Sequence, residues 1–221
     1  MTICMVFDTE TTGLPIGVSV VENHNVHLWP HVVQLSYIMY NTETNEIVKQ
    51  KNDIIKVPNN IIIPNNVVLI HGITNEISNN IGIKIINPLI EFMEDYNKSD
   101  ILIGHNIMFD VNMIRVELLR HVLYEEFNTL KNLKSYYCTM KNTTKLCNLT
   151  KVNKRGVISP KWPKLIELHR HLFNTEPGDL HNAFNDILIT LRCYFMIKFN
   201  DDICDKNTTI KNLIYKLLKT N

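Results

Sequence analysis

The sequence of 221 residues has no apolar run near the ~18 residues that a membrane span needs. Its apolar segments, such as Ile61 to Ile63 and Ile101 to Ile103, are short, so nothing in it is expected to cross a bilayer. It has no C-x-x-C pair, and its five cysteines (Cys4, Cys138, Cys147, Cys193, Cys204) are odd in number. That fits a reducing intracellular compartment, cytoplasm or nucleus, better than a disulfide framework, with the thiols expected to be buried. A secretory leader is not expected either. Met1 to Asp8 contains no basic residue and reaches an acid early, so the mature chain is expected to start at or next to Met1. Nor is there an excess of charge of one sign: 23 Lys and Arg against 22 Asp and Glu leave a net charge of +1. A protein that coats nucleic acid through a global basic field is thereby excluded, and any such contact must be local. Three signatures are also absent: the G-x-x-x-x-G-K-[ST] phosphate loop, the H-E-x-x-H zinc helix and the G-x-S-x-G elbow. His169 and His171, two apart on one helical segment, point away from each other and do not make a zinc site.

What remains is an ordinary globule, with 45% hydrophobic and 20% charged residues, long enough for one well-buried core. Ile3 to Phe7 is a short apolar run closed by Thr11, Thr12, Gly13 and Pro15, which predicts a central strand ending in a loop. Val32 to Met39 and Ile47 to Ile55, separated by the polar Asn41 to Glu46, predict an antiparallel meander. The pattern then changes to alternating helix and strand. Helices are expected near Asn66 to His71 and from Asn87 as cap, with Pro88 at the first position, to about Tyr96. A buried strand at Ile101 to Ile103 leads into a helix from Asp110 carrying Val111, Ile114, Leu118 and Val122. Further helices are read over Lys164 to Phe173 and His181 to Lys198, and the architecture is α/β with a mixed sheet. Behind Thr208 as cap, Ile210, Leu213, Ile214, Leu217 and Leu218 form a helical stripe, docked on its own domain or on a partner. Residues 1–200 are read as one domain and 201–221 as its helical extension.

Three short constellations could do chemistry. In Phe7-Asp8-Thr9-Glu10-Thr11-Thr12-Gly13, residues two apart on a strand share a face, so Asp8 and Glu10 present two carboxylates side by side. They are either solvated strand-end acids or the hard oxygen ligands of a divalent cation such as Mg²⁺ or Mn²⁺. In Gly104-His105-Asn106-Ile107-Met108-Phe109-Asp110 a strand gives way to a helix, a place where sites collect in α/β sheets. There Asp110 suits a helix start, Asn106 an N-cap, and His105 a residue that orients a neighbour. In His181-Asn182-Ala183-Phe184-Asn185-Asp186, five residues of ideal helix subtend roughly 140°, so His181 and Asp186 share a site only if His181 precedes the helix and reaches back. Otherwise they are a cap histidine and a surface acid. Ala183 is small enough to let this helix approach the strand that carries Asp8.

Taken together, D-x-E, H-N-x-x-F-D and H-x-A-x-x-D in this order resemble the DEDDh class of DnaQ-like 3′-5′ exonucleases, over about residues 3 to 198. Val33-Gln34-Leu35, His71-Gly72-Ile73-Thr74 and Lys164-Leu165 are similar to the family's own punctuation. The resemblance implies an RNase H-like fold: a mixed five-stranded sheet, an antiparallel meander followed by parallel strands, flanked by helices. It implies that Asp8, Glu10, Asp110 and Asp186 hold two divalent ions, Mg²⁺ with Mn²⁺ as substitute, and that His181 is the general base. It further implies that Thr11, Gly13, His71 and Asn106 border the terminal nucleotide, and that nucleoside 5′-monophosphates leave a free 3′ end.

Between Leu130 and Leu165 lie Lys131, Lys134, Lys141, Lys145, Lys151, Lys154, Arg155, Lys161 and Lys164, with no acid among them. The run is either a solvated face or, with Tyr136, Tyr137 and Trp162 interleaved, a single-strand groove of phosphate contacts and stacking platforms. In the second reading Lys151, Lys154, Arg155 and Trp162 guide the substrate. DNA is the expected substrate. The alternatives are an RNA-trimming or oligoribonuclease-like enzyme and a non-catalytic nucleic-acid-binding or polymerase-accessory module. A polymerase or another replication or repair protein is the partner considered for the C-terminal helix. The abundance of Asn, Ile and Lys is a mark of AT-rich coding, such as that of a large DNA virus.

Overall fold

The computed structural model describes residues 2–218; Met1 and residues 219–221 of the expected C-terminal extension lie outside the described residues. Strand β1 (Ile3–Thr11) is apolar on both faces through Phe7, as suits a strand covered on both sides, and stands in the middle of a five-stranded sheet. Strand β2 (Val32–Asn41) pairs antiparallel with it and is buried along its whole length. Strand β3 (Glu46–Ile54) pairs with β2 at the sheet edge, where exposure alternates. Asn41 makes the turn between them, its Oδ1 accepting the N–H groups of Glu43 and Thr44 at 2.9 and 3.2 Å.

Helices α1 (Asn65–His71), α2 (Asn75–Ile81) and α3 (Ile86–Lys98) lead to β4 (Ile101–Gly104), parallel to β1. Helices α4 (Met108–Arg120) and α5 (Tyr124–Lys131) then lead to β5 (Tyr136–Cys138), parallel to β4. The sheet order is β3-β2-β1-β4-β5, the expected meander followed by parallel strands. Two single turns, α6 (Thr139–Asn142) and α7 (Thr144–Cys147), precede a small hairpin of β6 (Thr150–Val152) and β7 (Ile158–Pro160). The chain closes with α8 (Leu165–Phe173), α9 (Ala183–Phe199), α10 (Ile203–Lys206) and α11 (Thr208–Leu218).

The alternation of β1 divides the interior. Ile3, Met5 and Phe7 enter a core shared with α3 and α4, where Phe92 meets the rings of Phe7 and Tyr37 edge-on at centroid distances of 5.1 and 5.7 Å. Cys4 and Val6 point the other way, into a core built with α8, α9 and α11. All five cysteines are buried and free. The stripe of α11 is used within the chain: Ile210, Ile214 and Leu217 belong to the same core as α9. At the open edge, Lys49 and Lys51 of β3 pair with Glu91 at 2.6 and 2.9 Å, and Lys49 also pairs with Asp95 at 2.6 Å; such charges discourage another strand from adding there.

Several expectations need correction. Helix α3 starts at Ile86, and Pro88 sits within its first turn, where a missing N–H still breaks no intrahelical bond. Helix α4 ends at Arg120; Val122 has left it, with φ 61° and an exposed side chain, so the apolar stripe stops at Leu118. Thr208 is the first residue of α11 and not its cap: the Oδ1 of Asn207 accepts the N–H of Ile210 at 3.0 Å. The expected helix over His181 to Lys198 is α9, which begins at Ala183 and leaves His181 outside, as the angular argument requires.

Candidate active site

Asp8 and Glu10 continue the row of Cys4 and Val6 on the α9 side of β1, where the apolar strand runs out into the cleft. Asp186, in the first turn of α9, meets them: one carboxylate oxygen from each of Asp8, Glu10 and Asp186 lies within 4.8 Å of the others. Asp110 arrives from the first turn of α4 on the opposite side of the sheet. It is buried, and its Oδ1 accepts the main-chain N–H of Thr9 at 3.0 Å and the Thr9 hydroxyl at 2.8 Å. The four acids named from the sequence therefore converge at one end of β1.

Their electrostatics are those of crowded like charges. Burial, then the charges of Asp110, Asp186 and Glu10, push Asp8 well above the usual carboxylate range. Burial and the charges of Asp186 and Asp110 push Glu10 up to about 9. Burial raises Asp110 to about 7 against the opposing hydrogen bonds from Thr9, and raises Asp186 to about 7 against that from the His181 N–H. A set of hard oxygen donors so reluctant to ionise together fits a small divalent cation, which relieves the repulsion that the protein leaves in place.

His181 precedes α9 at φ 72°, a left-handed conformation uncommon for a non-glycine residue, and its N–H donates to Asp186 Oδ1 at 3.3 Å. It lines a cleft of about 510 Å³ with Asp8, Asp186, His105, Leu180 and Trp162. His105 has a structural role: its Nδ1 bonds the Thr139 hydroxyl at 2.9 Å and its Nε2 the Pro163 carbonyl at 3.0 Å. Burial lowers its pKa to about 4. The tethered Pro163 follows Trp162, which is 59% exposed at the cleft. Ala183 is fully buried, as expected of the residue that lets α9 approach the sheet.

A second cleft, of about 480 Å³, adjoins Glu10 and contains Thr11, Gly13 and His71. The Thr11 hydroxyl donates to the Gly13 carbonyl at 2.7 Å, and Gly13 takes φ 151°, which favours glycine. His71 is buried; its Nδ1 accepts the Ile73 N–H at 3.0 Å, which leaves its proton on Nε2. Leu14, Ile70 and Phe109 are among the other lining residues, with Thr9, Asn66 and Val67. The sequence reading missed Leu14 and Ile70; the one available signal was an apolar residue in a polar stretch.

Other expected residues stand elsewhere. Asn106 is exposed at φ 67°, lines neither cleft, and offers its main-chain carbonyl to the Phe109 N–H at 2.9 Å; the N-cap of α4 is Ile107. Lys151 lies on β6, and Lys154 and Arg155 in the β6–β7 turn; all three are exposed and none lines the acid cleft. The basic run is not one continuous face. Lys134 is taken by the carbonyls of Tyr96 and Ser99, whereas Lys161, paired with Glu167, and Lys164 line the acid cleft beside Trp162.

Among solved structures, exonuclease I from Methylocaldum szegediense is similar over 98% of this chain and 43% of its own, at 18% identity and TM-score 0.64. E. coli exonuclease I in complex with a dT13 oligonucleotide is similar over 90% of this chain and 41% of its own, at 16% identity and TM-score 0.65. A structure of SSB/exonuclease I with the inhibitor CFAM gives 97% and 44%, at 15% identity and TM-score 0.63. The chain spans less than half the length of these proteins, and at such identities the likeness is one of fold. No curated relative matches the sequence. The model of the RNase_T exonuclease family, in contrast, matches residues 5–194, which include all three motifs and the acids they bring together. By that match, the chain belongs to the RNase_T family of exonucleases.

Proposed function

We propose that this chain is a metal-dependent 3′-5′ exonuclease that hydrolyses phosphodiester bonds of DNA, from a single-stranded or frayed end, and releases nucleoside 5′-monophosphates. The observation that carries the reading is the meeting of Asp8, Glu10 and Asp186 within 4.8 Å, beside His181 in an open cleft. DNA is favoured because the E. coli exonuclease I structures hold dT13 and dA16 oligonucleotides.

In this reading Asp8, Glu10, Asp110 and Asp186 hold the metal, Mg²⁺ in the first instance. Bound divalent metal supplies a more acidic water and charge neutralisation at the phosphate. His181, exposed and outside its helix, takes the proton of the attacking water on a ring nitrogen and is free to pass it to solvent. Thr9 keeps Asp110 oriented through two hydrogen bonds. The cleft of Thr11, Gly13 and His71 receives the terminal nucleotide, with Leu14 and Ile70 against its base. Trp162 stacks on a base further along, while Lys151, Lys154 and Arg155 meet backbone phosphates.

The test is a single assay: purified protein with 3′- and 5′-labelled DNA and RNA, with Mg²⁺, Mn²⁺ or EDTA. Labelled mononucleotide released from the 3′-labelled DNA, with progressive shortening of the 5′-labelled strand and no reaction in EDTA, is expected. Faster shortening of RNA moves the substrate to RNA, and no cleavage of either polymer removes the enzymatic reading.

A further inference from the structure

The α9-facing surface of the sheet carries more polar side chains than the acids. Glu10 stands opposite Gln34 in the β1–β2 register and Asp8 opposite Ser36, while Ser36 stands opposite Asn52 on β3. Directly opposed residues of antiparallel strands share a face, so a polar row runs from the carboxylates across three strands. Gln34 is 1% exposed and Ser36 fully buried. Polar groups at such positions are costly unless bonded, and here the bonds run to β3 on one side and to the start of α9 on the other. Gln34 Oε1 accepts the main-chain N–H of Ala183 at 3.1 Å, one of the first N–H groups of α9, which no residue of that helix can satisfy. Its Nε2 donates to Asn52 Oδ1 at 2.8 Å and to Asn182 Oδ1 at 3.5 Å. Ser36 Oγ donates to the same Asn52 oxygen at 2.9 Å. Asn182 is itself the N-cap of α9, accepting the Phe184 N–H at 3.1 Å.

We infer that Gln34, held in its rotamer by Asn52 and Ser36, is a positioning residue: it pins the N-terminus of α9 to β2 and so sets the spacing of Asp186 and His181 from Asp8 and Glu10. Asp186 and His181 lie within three residues of Ala183, on a loop-to-helix junction with left-handed residues at Asp179 and His181. The junction's own bonds, from the Phe184 N–H to Asn182, the His181 N–H to Asp186 and Asn185 Nδ2 to the Asp179 carbonyl, are all local, and the bond from the Ala183 N–H to Gln34 ties it to the sheet. The inference rests on the proposed function for its catalytic readout, but not for its structural one.

The experiment compares Gln34→Leu, Gln34→Glu and Asn52→Ala with the unaltered chain and with Val33→Ala, a neighbour on the other face of β2 that serves as a stability control. Readouts are Mn²⁺ affinity by calorimetry, amide hydrogen exchange at Ala183, and kcat and KM on an oligonucleotide. Gln34→Leu is expected to weaken Mn²⁺ binding ~10-fold, as loss of a ligand-orienting contact does. It should speed exchange at Ala183 and lower kcat by ~10- to 10²-fold with little change in KM. Gln34→Glu keeps the acceptor for the Ala183 N–H but sets a second acceptor against Asn52 Oδ1 and a further carboxyl opposite Glu10, so it is expected to slow Ala183 exchange relative to Gln34→Leu without restoring kcat. Asn52 is exposed, so Asn52→Ala folds even if Gln34→Leu does not, and should shift all three in the same direction by less. Mn²⁺ affinity and Ala183 exchange that are unchanged in Gln34→Leu and Asn52→Ala overturn the inference. So does an equal loss of affinity in Val33→Ala. A chain that hydrolyses nothing overturns the proposed function alone, since the calorimetry and exchange still decide the role of Gln34.

Discussion

Asp110 and Asp186 reach the end of β1 from opposite faces of the sheet, and by different means. Asp110 is buried in the first turn of α4 and is tied to Thr9 by a main-chain and a side-chain bond on a single oxygen. Asp186 receives one longer bond, from the N–H of His181, and stands beside a histidine exposed to solvent in a left-handed conformation. One half of the site is fixed by the strand itself, and the other hangs on the seating of a helix end. This division suits the chemistry proposed: the ligand that must not move is locked, while the group that must exchange a proton with water stays at the surface.

The comparison can be broken at its strongest point first. Asp8→Ala or Asp186→Ala should abolish turnover of labelled oligonucleotide, because each removes an oxygen from the three-acid cluster. His181→Ala should lower kcat by at least ~10² while calorimetric Mn²⁺ binding persists; near-normal turnover removes the general-base role. Thr9→Val deletes the hydroxyl bond and keeps the main-chain one, so kcat should fall by only ~3- to 10-fold, the cost of one hydrogen bond. If it falls as far as in His181→Ala, the supposed rigidity of the α4 half is wrong.

The crowded acids also make the metal-free protein sensitive to alkali. Asp110 and Asp186 are raised to about 7 and Glu10 to about 9, against ordinary values near ~4 in the unfolded chain. A raised folded-state carboxyl contributes stability that is present at acid pH and is lost as pH rises through the folded value. In EDTA, Tm should therefore fall by ~5 °C or more between pH 5 and pH 9, and Mg²⁺ or Mn²⁺ should recover most of it at the alkaline end. A Tm flat with pH in EDTA contradicts the crowding. The smallest effect belongs to the hairpin. Replacing Lys151, Lys154 and Arg155 by Gln should weaken oligonucleotide binding and reduce its log-log salt slope by about 2. An unchanged slope takes these residues out of the substrate path.

The parts legible in the sequence were those with a period or a spacing. The apolar run of β1 and the paired segments of β2 and β3 either side of a polar turn outlined the sheet, and the requirement that His181 precede its helix followed from helical geometry alone. Strand β5 is only Tyr136–Cys138, too short for any period, and the β6–β7 hairpin and helices α2 and α5 are similarly brief. That Lys134 leaves the basic run was not legible, because it is held by the end of α3, distant in sequence, and no local pattern announces that. Asn106 failed as a cap because the left-handed conformation open to Asn suits it to the bend before α4. Gln34 was visible only as part of a resemblance; its task requires knowing that β2 lies under Ala183.

Helix α9 carries Asp186 in its first turn, and its buried side shares a core with α11. At 1.5 Å per residue its 17 residues form a lever about 25 Å long. A tilt of ~5° pivoting at the far end would swing the acid by ~2 Å, the scale on which metal coordination is won or lost. Leu217 and Ile214, buried in the core that α9 shares, thereby act as ballast for the end that carries Asp186.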